Sequence, residues 1–385
     1  MSDLVYMPTF GSGLGHATRM VSVANGLKNT GLRVHFSSFN EGLDYITMSG
    51  YPCDKVSPID VAWSAEGHPS VGMTLQRIPQ MFARFSKHVK VEAQRILKLR
   101  PKVVFSDSRL SPIIAATLLG LPSFSLLNQI RVLFPKYRIL RLAEQAGAEI
   151  FGQLWALSRE ILIPDLSPPY TIASKNVGGI SSVGTKMRYV GYISSNHSSE
   201  SDKIAKIRKR LEIDGRKKVF FAQISGPLGT KRRLISEISK AASERFSLII
   251  SAGMPGGLTE PVRIGNSWFF EWCPIRDELF EIADYALIRG GHSTITKAIS
   301  LGKPMLVLPI SNHTEQIGNA ERVEELGIGI YLRSSDISGK KLIESMEMIA
   351  SNHVYKSKVN HLKKISSEYD AVATCVQKIS EACEK

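Results

Sequence analysis

The sequence is poor in cysteine, and its cysteines do not form a group. Only four are present among 385 residues, and none of them shows a C-x-x-C spacing or another spacing that is typical of metal ligands. This scatter argues against a structural zinc site and fits a reducing compartment with ordinary thiols. The four are Cys53, Cys273, Cys375 and Cys383.

Long hydrophobic runs are also absent. No apolar stretch approaches the roughly 20 residues that span a bilayer. The first residues, MSDLVYMPTF, lack the basic start and the apolar segment of a signal peptide. We therefore expect a cytoplasmic protein without a membrane span. A length of 385 residues with a hydrophobic fraction of 43% is sufficient for two globular domains.

Acidic residues are in deficit. Lysine and arginine number 49 against 35 aspartates and glutamates, which gives a formal net charge of +14 at pH 7. Such a surface attracts polyanions, including nucleic acids, anionic lipid headgroups and phosphorylated substrates. Because the sequence has no zinc-finger spacing and no aromatic RNA-binding motif, we expect no nucleic-acid partner and rank an anionic membrane surface above it.

Short apolar runs alternate with amphipathic stretches along the chain, which is typical of an α/β fold with parallel sheets. The polar segment 194–203 interrupts this pattern and predicts two doubly wound, Rossmann-like domains that face a cleft. We predict an N-terminal domain over 1–193, a linker over 194–203, a C-terminal domain over 204–354 and a helical tail over 355–385. The predicted strands are LVYMP, RVHFSS, KVVFSD, PSFSLL and MRYVGY, then KVFFAQIS, FSLIISAG, SWFFEW, ADYALIRG and PMLVLPI.

The glycine-rich segment GSGLGHATR, residues 11–19, follows the first predicted strand. Its glycines let backbone amides approach a ligand, and the next helix presents its N-terminus to an anion. His16 occupies the place of the third glycine of a dinucleotide-binding loop, and Glu41 is the only acidic candidate for a ribose, so we expect no nicotinamide cofactor. Imidazole titrates near neutrality, which makes His16 a candidate general base. The alternative is a histidine that caps the helix or satisfies a buried hydrogen bond.

A second candidate follows another predicted strand. In VVFSDSRLSP, Asp107 lies at the strand end, just before a helix that is predicted from Leu110. A carboxylate at this place can orient His16 and stabilise its imidazolium. Equally, Asp107 or Ser108 can cap the following helix, and the sequence leaves both interpretations open.

The segment 287–320 places polar residues after two predicted strands. Its first loop combines flexible backbone, hydroxyls and a helix N-terminus, which suits a diphosphate. One strand and one helix later, Glu315 and Gln316 offer the hydrogen-bond acceptors and donors that a sugar ring requires. The first loop consists of Gly290, Gly291, His292, Ser293 and Thr294.

These motifs resemble the GT-B UDP-glycosyltransferases, which include the bacterial GlcNAc transferase of peptidoglycan-lipid synthesis and the macrolide and plant glucosyltransferases. The resemblance implies two Rossmann-like domains with a donor diphosphate at the Gly-Gly turn, the nucleotide base at the tryptophan segment and the sugar at the acidic-Gln pair. The similar residues are Gly290-Gly291, Ser293-Thr294, Gly302-Lys303-Pro304, Glu315-Gln316, Asn319-Ala320, Ser225-Gly226-Pro227, Trp272-Cys273-Pro274-Ile275 and the segment from Gly11 to Arg19.

The resemblance also implies residue roles, with His16 as the catalytic base and Asp107 as its partner. Lys297 departs from the family pattern, because it stands where a glutamate usually holds the ribose diol, and a lysine cannot accept those hydrogen bonds. Arg289 agrees with the arginine of the peptidoglycan branch. The implied donor-binding residues are Gly13, Gly15, Ser225, Gly226, Trp272, Pro274, Ile275, Arg289, Gly290, Gly291, His292, Ser293, Thr294, Lys297, Glu315, Gln316 and Asn319.

The resemblance further implies an inverting transfer. Because no D-x-D motif stands at a strand end, we expect no metal, and a helix N-terminus with basic side chains stabilises the leaving nucleoside diphosphate. We expect no cofactor. The co-substrate is a nucleotide-sugar, expected to be a UDP-sugar, that donates a hexose or an N-acetylhexosamine.

Two basic amphipathic stretches in the first domain, 73–100 and 130–166, are candidates for an acceptor surface. Each interleaves apolar and basic residues, which suits peripheral contact with an anionic bilayer. The alternative for each is an apolar face that packs on the sheet and a basic face that is solvated. Together with the net charge and Arg289, the two stretches favour a lipid or lipid-linked acceptor at the inner face of the membrane.

Three other functions stay open on the sequence. A soluble transferase for a small acceptor would use the same donor site, and salt-sensitive binding to anionic liposomes distinguishes the two. A nucleotide-sugar 2-epimerase shares this architecture but requires additional acidic residues for elimination. A non-catalytic sugar-nucleotide-binding subunit is the third, although His16 and the donor loop are both present.

Overall fold

The computed structural model describes residues 3–58, 78–131, 141–193, 200–213, 215–226, 228–241, 245–254 and 256–384, without the side chains of 78, 79, 81, 82 and 228. These residues form two compact units. Unit 1 contains the described residues up to 193 together with 369–384, and unit 2 contains the described residues of 200–368.

Unit 1 is built on a parallel sheet. Its described strands are β1 (Leu4–Pro8), β2 (Arg33–Ser38), β3 (Cys53–Lys55), β4 (Val103–Asp107), β5 (Ser123–Leu126), β6 (Glu160–Ile163) and β7 (Met187–Tyr189). Its helices are α1 (Leu14–Asn29), α2 (Asn40–Met48), α3 (Ile78–Leu99), α4 (Leu110–Leu118), α5 (Arg141–Trp155), α6 (Ser174–Val177) and α14 (Ala371–Cys383). The strand order β3-β2-β1-β4-β5-β6-β7 reverses direction between β1 and β4. Ligands of such sheets bind at the carboxyl ends of the two strands that flank this point.

Different helices cover the two faces of this sheet, because side chains alternate along each strand. Val5 and Met7 share a buried cluster with α1 and α14, whereas Tyr6 shares one with α3 and α4. The two helices on the first face approach each other closely, since a Cβ on Gly26 of α1 would lie 2.7 Å from Val376 Cγ2 of α14. The last helix therefore completes the core of unit 1.

Unit 2 is built on a second sheet of the same kind. Its described strands are β8 (Lys218–Gln223), β9 (Phe246–Ser251), β10 (Val262–Ile264), β11 (Ser267–Phe270), β12 (Tyr285–Ile288), β13 (Met305–Val307) and β14 (Gly329–Tyr331). Its helices are α7 (Ser201–Arg210), α8 (Leu228–Lys240), α9 (Arg276–Ile282), α10 (His292–Ser300), α11 (Thr314–Glu325), α12 (Gly339–Ser351) and α13 (His353–Ser366). The order is β10-β11-β9-β8-β12-β13-β14, in which only β10 is antiparallel to its neighbour. The order reverses between β8 and β12.

The predicted α/β class with two doubly wound sheets is confirmed. The structure differs from the predicted division at two places. Helix α7 begins at Ser201, inside the segment 194–203 that was predicted as a linker. The predicted tail 355–385 is divided, because α13 packs against α10 in unit 2 and α14 packs in unit 1. Among the described residues, no helix is both long enough and apolar enough to span a membrane.

A buried polar group joins α3 to the sheet of unit 1. The Arg109 guanidinium, which is 1% exposed, donates to the Ser37 carbonyl at 3.2 Å and to the Ser37 hydroxyl at 2.7 Å, and it pairs with Glu92 of α3. Tyr6 donates its hydroxyl to the other Glu92 oxygen at 2.5 Å. Because an unpaired charge in the interior costs several kcal/mol, each member of this group depends on the others.

We expect Arg109→Met to lower the free energy of unfolding of unit 1 by about 3 kcal/mol, because the buried Glu92 carboxylate then keeps only Arg95, 3.2 Å away, as a charged partner. Urea denaturation measures this effect. Arg188→Met, at an exposed arginine of the same unit, is the control and should change stability by less than about 0.5 kcal/mol. Equal stability of the two variants would contradict the structural role of the buried pair.

Candidate active site

The point where the strand order of unit 1 reverses contains the glycine-rich loop and the start of α1. Thr9, just after β1, pairs in parallel with Asp107 at the end of β4, so both strands deliver their next residues to one place. Gly11 lies directly on the backbone of Phe39, where a Cβ would be 1.9 Å from the carbonyl oxygen. Gly13 has φ 76° and precedes α1 without a side-chain cap. Gly11 is therefore required by the packing on Phe39, and the close approach of a ligand to this loop stays a prediction.

His16 lies in the first turn of α1, next to Gly15, with its Nδ1 atom 2.8 Å from an Asp107 carboxylate oxygen. At this distance a proton must lie between the two atoms, because two lone pairs would repel. Burial by itself raises the pKa of the Asp107 carboxyl. The charges and hydrogen bonds of Arg19 and His16 outweigh burial and hold that pKa well below its usual range. In the neutral form of the imidazole the proton therefore belongs to Nδ1, and Nε2 carries the lone pair.

His16 is the accessible member of this pair. Its side chain is 24% exposed, whereas the side chain of Asp107 is completely buried. The Phe10 ring contacts the imidazole edge to face, with ring centroids 5.2 Å apart, and limits its rotation. A buried carboxylate thus orients a ring whose second nitrogen can accept a proton from a ligand hydroxyl. The structure brings the two sequence candidates together, and their catalytic role stays a prediction.

Two further residues, Arg19 and Asn128, complete this cluster. No role was predicted for either from the sequence. Arg19 of α1 donates from Nε and Nη2 to the two oxygens of Asp107 at 2.6 Å and 2.5 Å. Its Nη2 also lies 3.1 Å from His16 Nδ1, and its Nη1 donates to Asn128 Oδ1 at 3.2 Å. A signal for Arg19 was present, because residues three apart share one face of a helix and can reach the same carboxylate.

In unit 2, the loops after β8 and β12 contain two glycines that no other residue can replace without strain. Gly226 has φ 106°, and a Cβ there would lie 2.8 Å from Ile310 Cδ1. Gly290 has φ 88°, and a Cβ there would lie 2.9 Å from the Gln316 carbonyl oxygen. Helix α10 follows Gly291 with no side-chain cap and no acidic residue in its first turn, which suits an anion. Ser225 lies in the loop after β8, whereas His292, Ser293 and Thr294 form the first turn of α10.

Arg289 is a buried cation at the end of β12. It is 5% exposed, its Nη1 makes a long contact of 3.4 Å to the Thr230 carbonyl, and its Nε lacks a hydrogen-bond partner among the described residues. Burial lowers the pKa of the guanidinium to about 10. A bound anion at this loop would supply the charged partner that the buried guanidinium requires.

Gln316 and Asn319, two of the residues predicted to bind the sugar donor, make side-chain hydrogen bonds to two different loops of unit 2. The Gln316 side-chain oxygen accepts a hydrogen bond from the Ile310 amide at 3.0 Å, and Asn319 Nδ2 donates to the Gly290 carbonyl at 3.1 Å. Asn319 is completely buried. Glu315, in the first turn of α11, is only partly buried. Asn319 therefore supports the Gly290 turn, and Gln316 supports the loop after β13.

Lys297, the departure from the family pattern, is paired within unit 2. Its Nζ lies 2.5 Å from an Asp277 carboxylate oxygen and 5.7 Å from the centroid of the Phe280 ring. Burial lowers the pKa of Lys297, and the contact with Asp277 opposes that effect. Lys297 thus has an acidic partner, Asp277, within the protein itself. The segment between β11 and α9 holds the predicted base-binding residues Trp272, Pro274 and Ile275.

Comparisons with known proteins identify the class of protein. The Glycosyltransferase family 28 C-terminal domain matches residues 266–375, a range that includes the Gly290 turn and α11. An uncharacterized glycosyltransferase of Methanosarcina acetivorans is 26% identical over 96% of each chain. The solved structure of the calicheamicin glycosyltransferase CalG4 superposes with a TM-score of 0.72 at 13% identity, covering 100% of this chain and 99% of that one. The chain is a glycosyltransferase of the GT-B type.

The name of another relative states which sugar donor and which acceptor that relative uses. The enzyme is 31% identical, over 43% of its own length and 48% of the relative, to a Bacillus cereus protein named UDP-N-acetylglucosamine--N-acetylmuramyl-(pentapeptide) pyrophosphoryl-undecaprenol N-acetylglucosamine transferase 2. The predicted GT-B glycosyltransferase class is confirmed. The predicted roles of single residues stay predictions.

We expect Gly290→Ala to distort the Gly290 turn and Gly291→Ala to leave it intact. Alanine at 290 would have to keep a φ of 88° against the Gln316 carbonyl, which should cost about 1–3 kcal/mol of stability. Gly291 has φ −64° and no atom within 4 Å of an added Cβ, so its alanine variant should stay within about 0.5 kcal/mol of the wild type. Urea unfolding of both proteins measures the difference, and a larger loss at 291 than at 290 would contradict this geometry.

Proposed function

We propose that the enzyme transfers a hexose or N-acetylhexosamine from a nucleotide-sugar, expected to be a UDP-sugar, to a hydroxyl of a lipid or lipid-linked acceptor. The transfer inverts the anomeric configuration and does not depend on a metal ion. The observation that carries this proposal is the 2.8 Å contact between His16 Nδ1 and the buried Asp107, which leaves Nε2 as a base.

The reaction is a single displacement at the anomeric carbon. His16 Nε2 takes the proton of the acceptor hydroxyl while that oxygen forms its bond to the anomeric carbon. The bond between the anomeric carbon and the diphosphate oxygen breaks, and its electron pair leaves with the nucleoside diphosphate. Asp107 stabilises the imidazolium, which then gives its proton to water.

The leaving group gains negative charge, and two features of unit 2 support a diphosphate at the Gly290 turn. The N-terminus of α10 carries a partial positive charge that is not offset by an acidic residue in its first turn. The Arg289 guanidinium is buried next to the turn, and its Nε lacks a protein partner among the described residues. Preorganised positive groups of this kind stabilise developing charge without rearrangement in the transition state.

The surface of unit 1 and the Bacillus cereus relative support a lipid-linked acceptor. Helix α5 exposes Leu142, Ile150 and Phe151 by 85%, 60% and 46%. Helix α3 exposes Arg84 and Lys87. Exposed apolar side chains together with basic ones suit a bilayer surface, where each Lys or Arg contributes about 1 kcal/mol of attraction to anionic lipid. The name of the relative specifies an undecaprenol-linked acceptor.

Part of the apolar face of the first predicted stretch is buried in unit 1. Val89 and Ile96, which belong to the apolar face of the stretch 73–100, pack against Tyr6 and the sheet of unit 1. The alternative interpretation therefore holds for this part of α3, because the sheet face needs a covering helix. Residues 73–77 and 132–140 of the two predicted stretches lie outside the described residues.

A thermal-shift panel tests the donor site. UDP, GDP, dTDP and ADP are compared at fixed salt, each with magnesium and with EDTA. We expect UDP to raise the melting temperature selectively and equally under both conditions, since a ligand at about 100 times its Kd stabilises the folded state by about 2.7 kcal/mol. No shift with any of the four would argue against the transferase proposal.

A variant of His16 tests the chemistry. We expect His16→Ala to reduce kcat by about 10²–10⁴-fold, the usual contribution of a general base, with little change in the nucleotide-induced thermal shift. His353→Ala, at an exposed histidine, is the control. Turnover is measured with a polyprenyl-linked acceptor in anionic vesicles and with a water-soluble acceptor.

Each outcome of this assay has a distinct meaning. Transfer that occurs only to the vesicle-bound acceptor and falls as salt rises supports the lipid-linked acceptor. Salt-independent transfer to the soluble acceptor alone would contradict it. A product with the anomeric configuration of the donor would contradict inversion, and an altered nucleotide-sugar formed without any acceptor would indicate an epimerase.

A further inference from the structure

The Arg19 guanidinium, which lies next to His16, is buried and is held in place by hydrogen bonds. Its side chain is 4% exposed, and each oxygen of Asp107 accepts a hydrogen bond from it. Two parallel N–H donors fix the plane of a carboxylate, which the point charge of a lysine cannot do. The contact between Nη1 and Asn128 holds the other side of the guanidinium. Asp107 is therefore locked in the orientation in which it contacts His16 Nδ1.

Arg19 also governs the protonation of Asp107. The carboxyl is completely buried, and burial raises its pKa, while the charge of Arg19 is the strongest influence in the opposite direction. Without the guanidinium, a neutral Asp107 would carry its own proton and would donate a hydrogen bond to Nδ1. The imidazole proton would then reside on Nε2, and that nitrogen could no longer act as a base.

We propose that Arg19 is a positioning residue that selects the nitrogen with which His16 acts. It keeps Asp107 as a hydrogen-bond acceptor in a single orientation, so that the imidazole proton stays on Nδ1 and Nε2 stays basic. Arg19 does not contact the substrate in this role, because it acts through Asp107. The inference rests on the proposed function, in which His16 is the base.

The direct test observes the His16 nitrogens without any turnover. The full chain is labelled with ¹⁵N-histidine, and the His16 signals are identified by their absence in a His16→Gln spectrum. In the wild type at neutral pH we expect Nδ1 protonated and Nε2 unprotonated. In Arg19→Met we expect the reverse. In Arg19→Lys, which retains the charge, we expect the wild-type tautomer. An unchanged tautomer in Arg19→Met overturns the inference.

A kinetic cycle gives the second test. We expect Arg19→Met to lower kcat by about 10²–10⁴-fold, with the KM for the donor unchanged within about twofold. In an Asp107→Asn background, the same change should have an effect of no more than about twofold, because Arg19 acts through Asp107. Effects that multiply in the double variant would overturn the inference. Lys28→Met, at an exposed lysine of α1, is the control for loss of one positive charge.

The design separates the possible failures. If Arg19→Met does not fold, the double variant Arg19→Met/Asp107→Asn removes the unpaired buried charge, and Arg19→Lys keeps it paired. A lysine variant with the Nε2–H tautomer then overturns the inference. If His16→Ala retains full turnover, the proposed function fails, and the nitrogen signals still decide whether Arg19 sets the tautomer.

Discussion

The pairing of buried charges at the end of β4 organises unit 1. Asp107 and Arg109 are both buried, and Ser108 between them has φ 55°, which turns the chain so that the two side chains reach opposite faces of the sheet. Asp107 meets α1 through Arg19, and Arg109 meets α3 through Glu92. Because an unpaired buried charge is costly, these ion pairs attach both α1 and α3 to the short turn at Ser108.

The same pairing sets the charge of the site. An aspartate and a neutral histidine alone would carry a negative charge, whereas the group that includes Arg19 has no net charge while the imidazole is neutral. The group becomes positive only when His16 takes a proton. A group without net charge does not repel the anionic partners that the net charge of +14 predicts. Unit 2 differs from unit 1 in this respect. Its buried Arg289 lacks an acidic partner among the described residues.

The sequence predicted the features that depend on local pattern. Strand ends, glycine turns and helix starts are local, so His16, Asp107 and the Gly290 turn could be placed at the carboxyl ends of strands. The partners of these residues are not local. Arg109 binds Ser37 and Glu92, which are distant in sequence, and nothing in a strand pattern indicates such a pair.

The same limit explains the other differences. The positions of Val89 and Ile96 fit a membrane face and a core face equally well, because both require an apolar stripe at helical spacing. Lys297 is a departure from a pattern in the sequence, and only the fold shows that Asp277 of α9 reaches it. Arg19 was within reach of a helical argument, since it lies three residues after His16.

The position of α14 has a consequence for the order in which the protein can be completed during synthesis. Unit 1 begins with the first strand, yet its core includes Cys375 and Ile379, which follow the whole of unit 2 along the chain. All of unit 2 must therefore be synthesised before α14 can cover the face of the first sheet next to α1. Until then the helix that carries His16 and Arg19 has an uncovered apolar side. The core behind His16 is thus completed only after unit 2, which follows His16 along the chain.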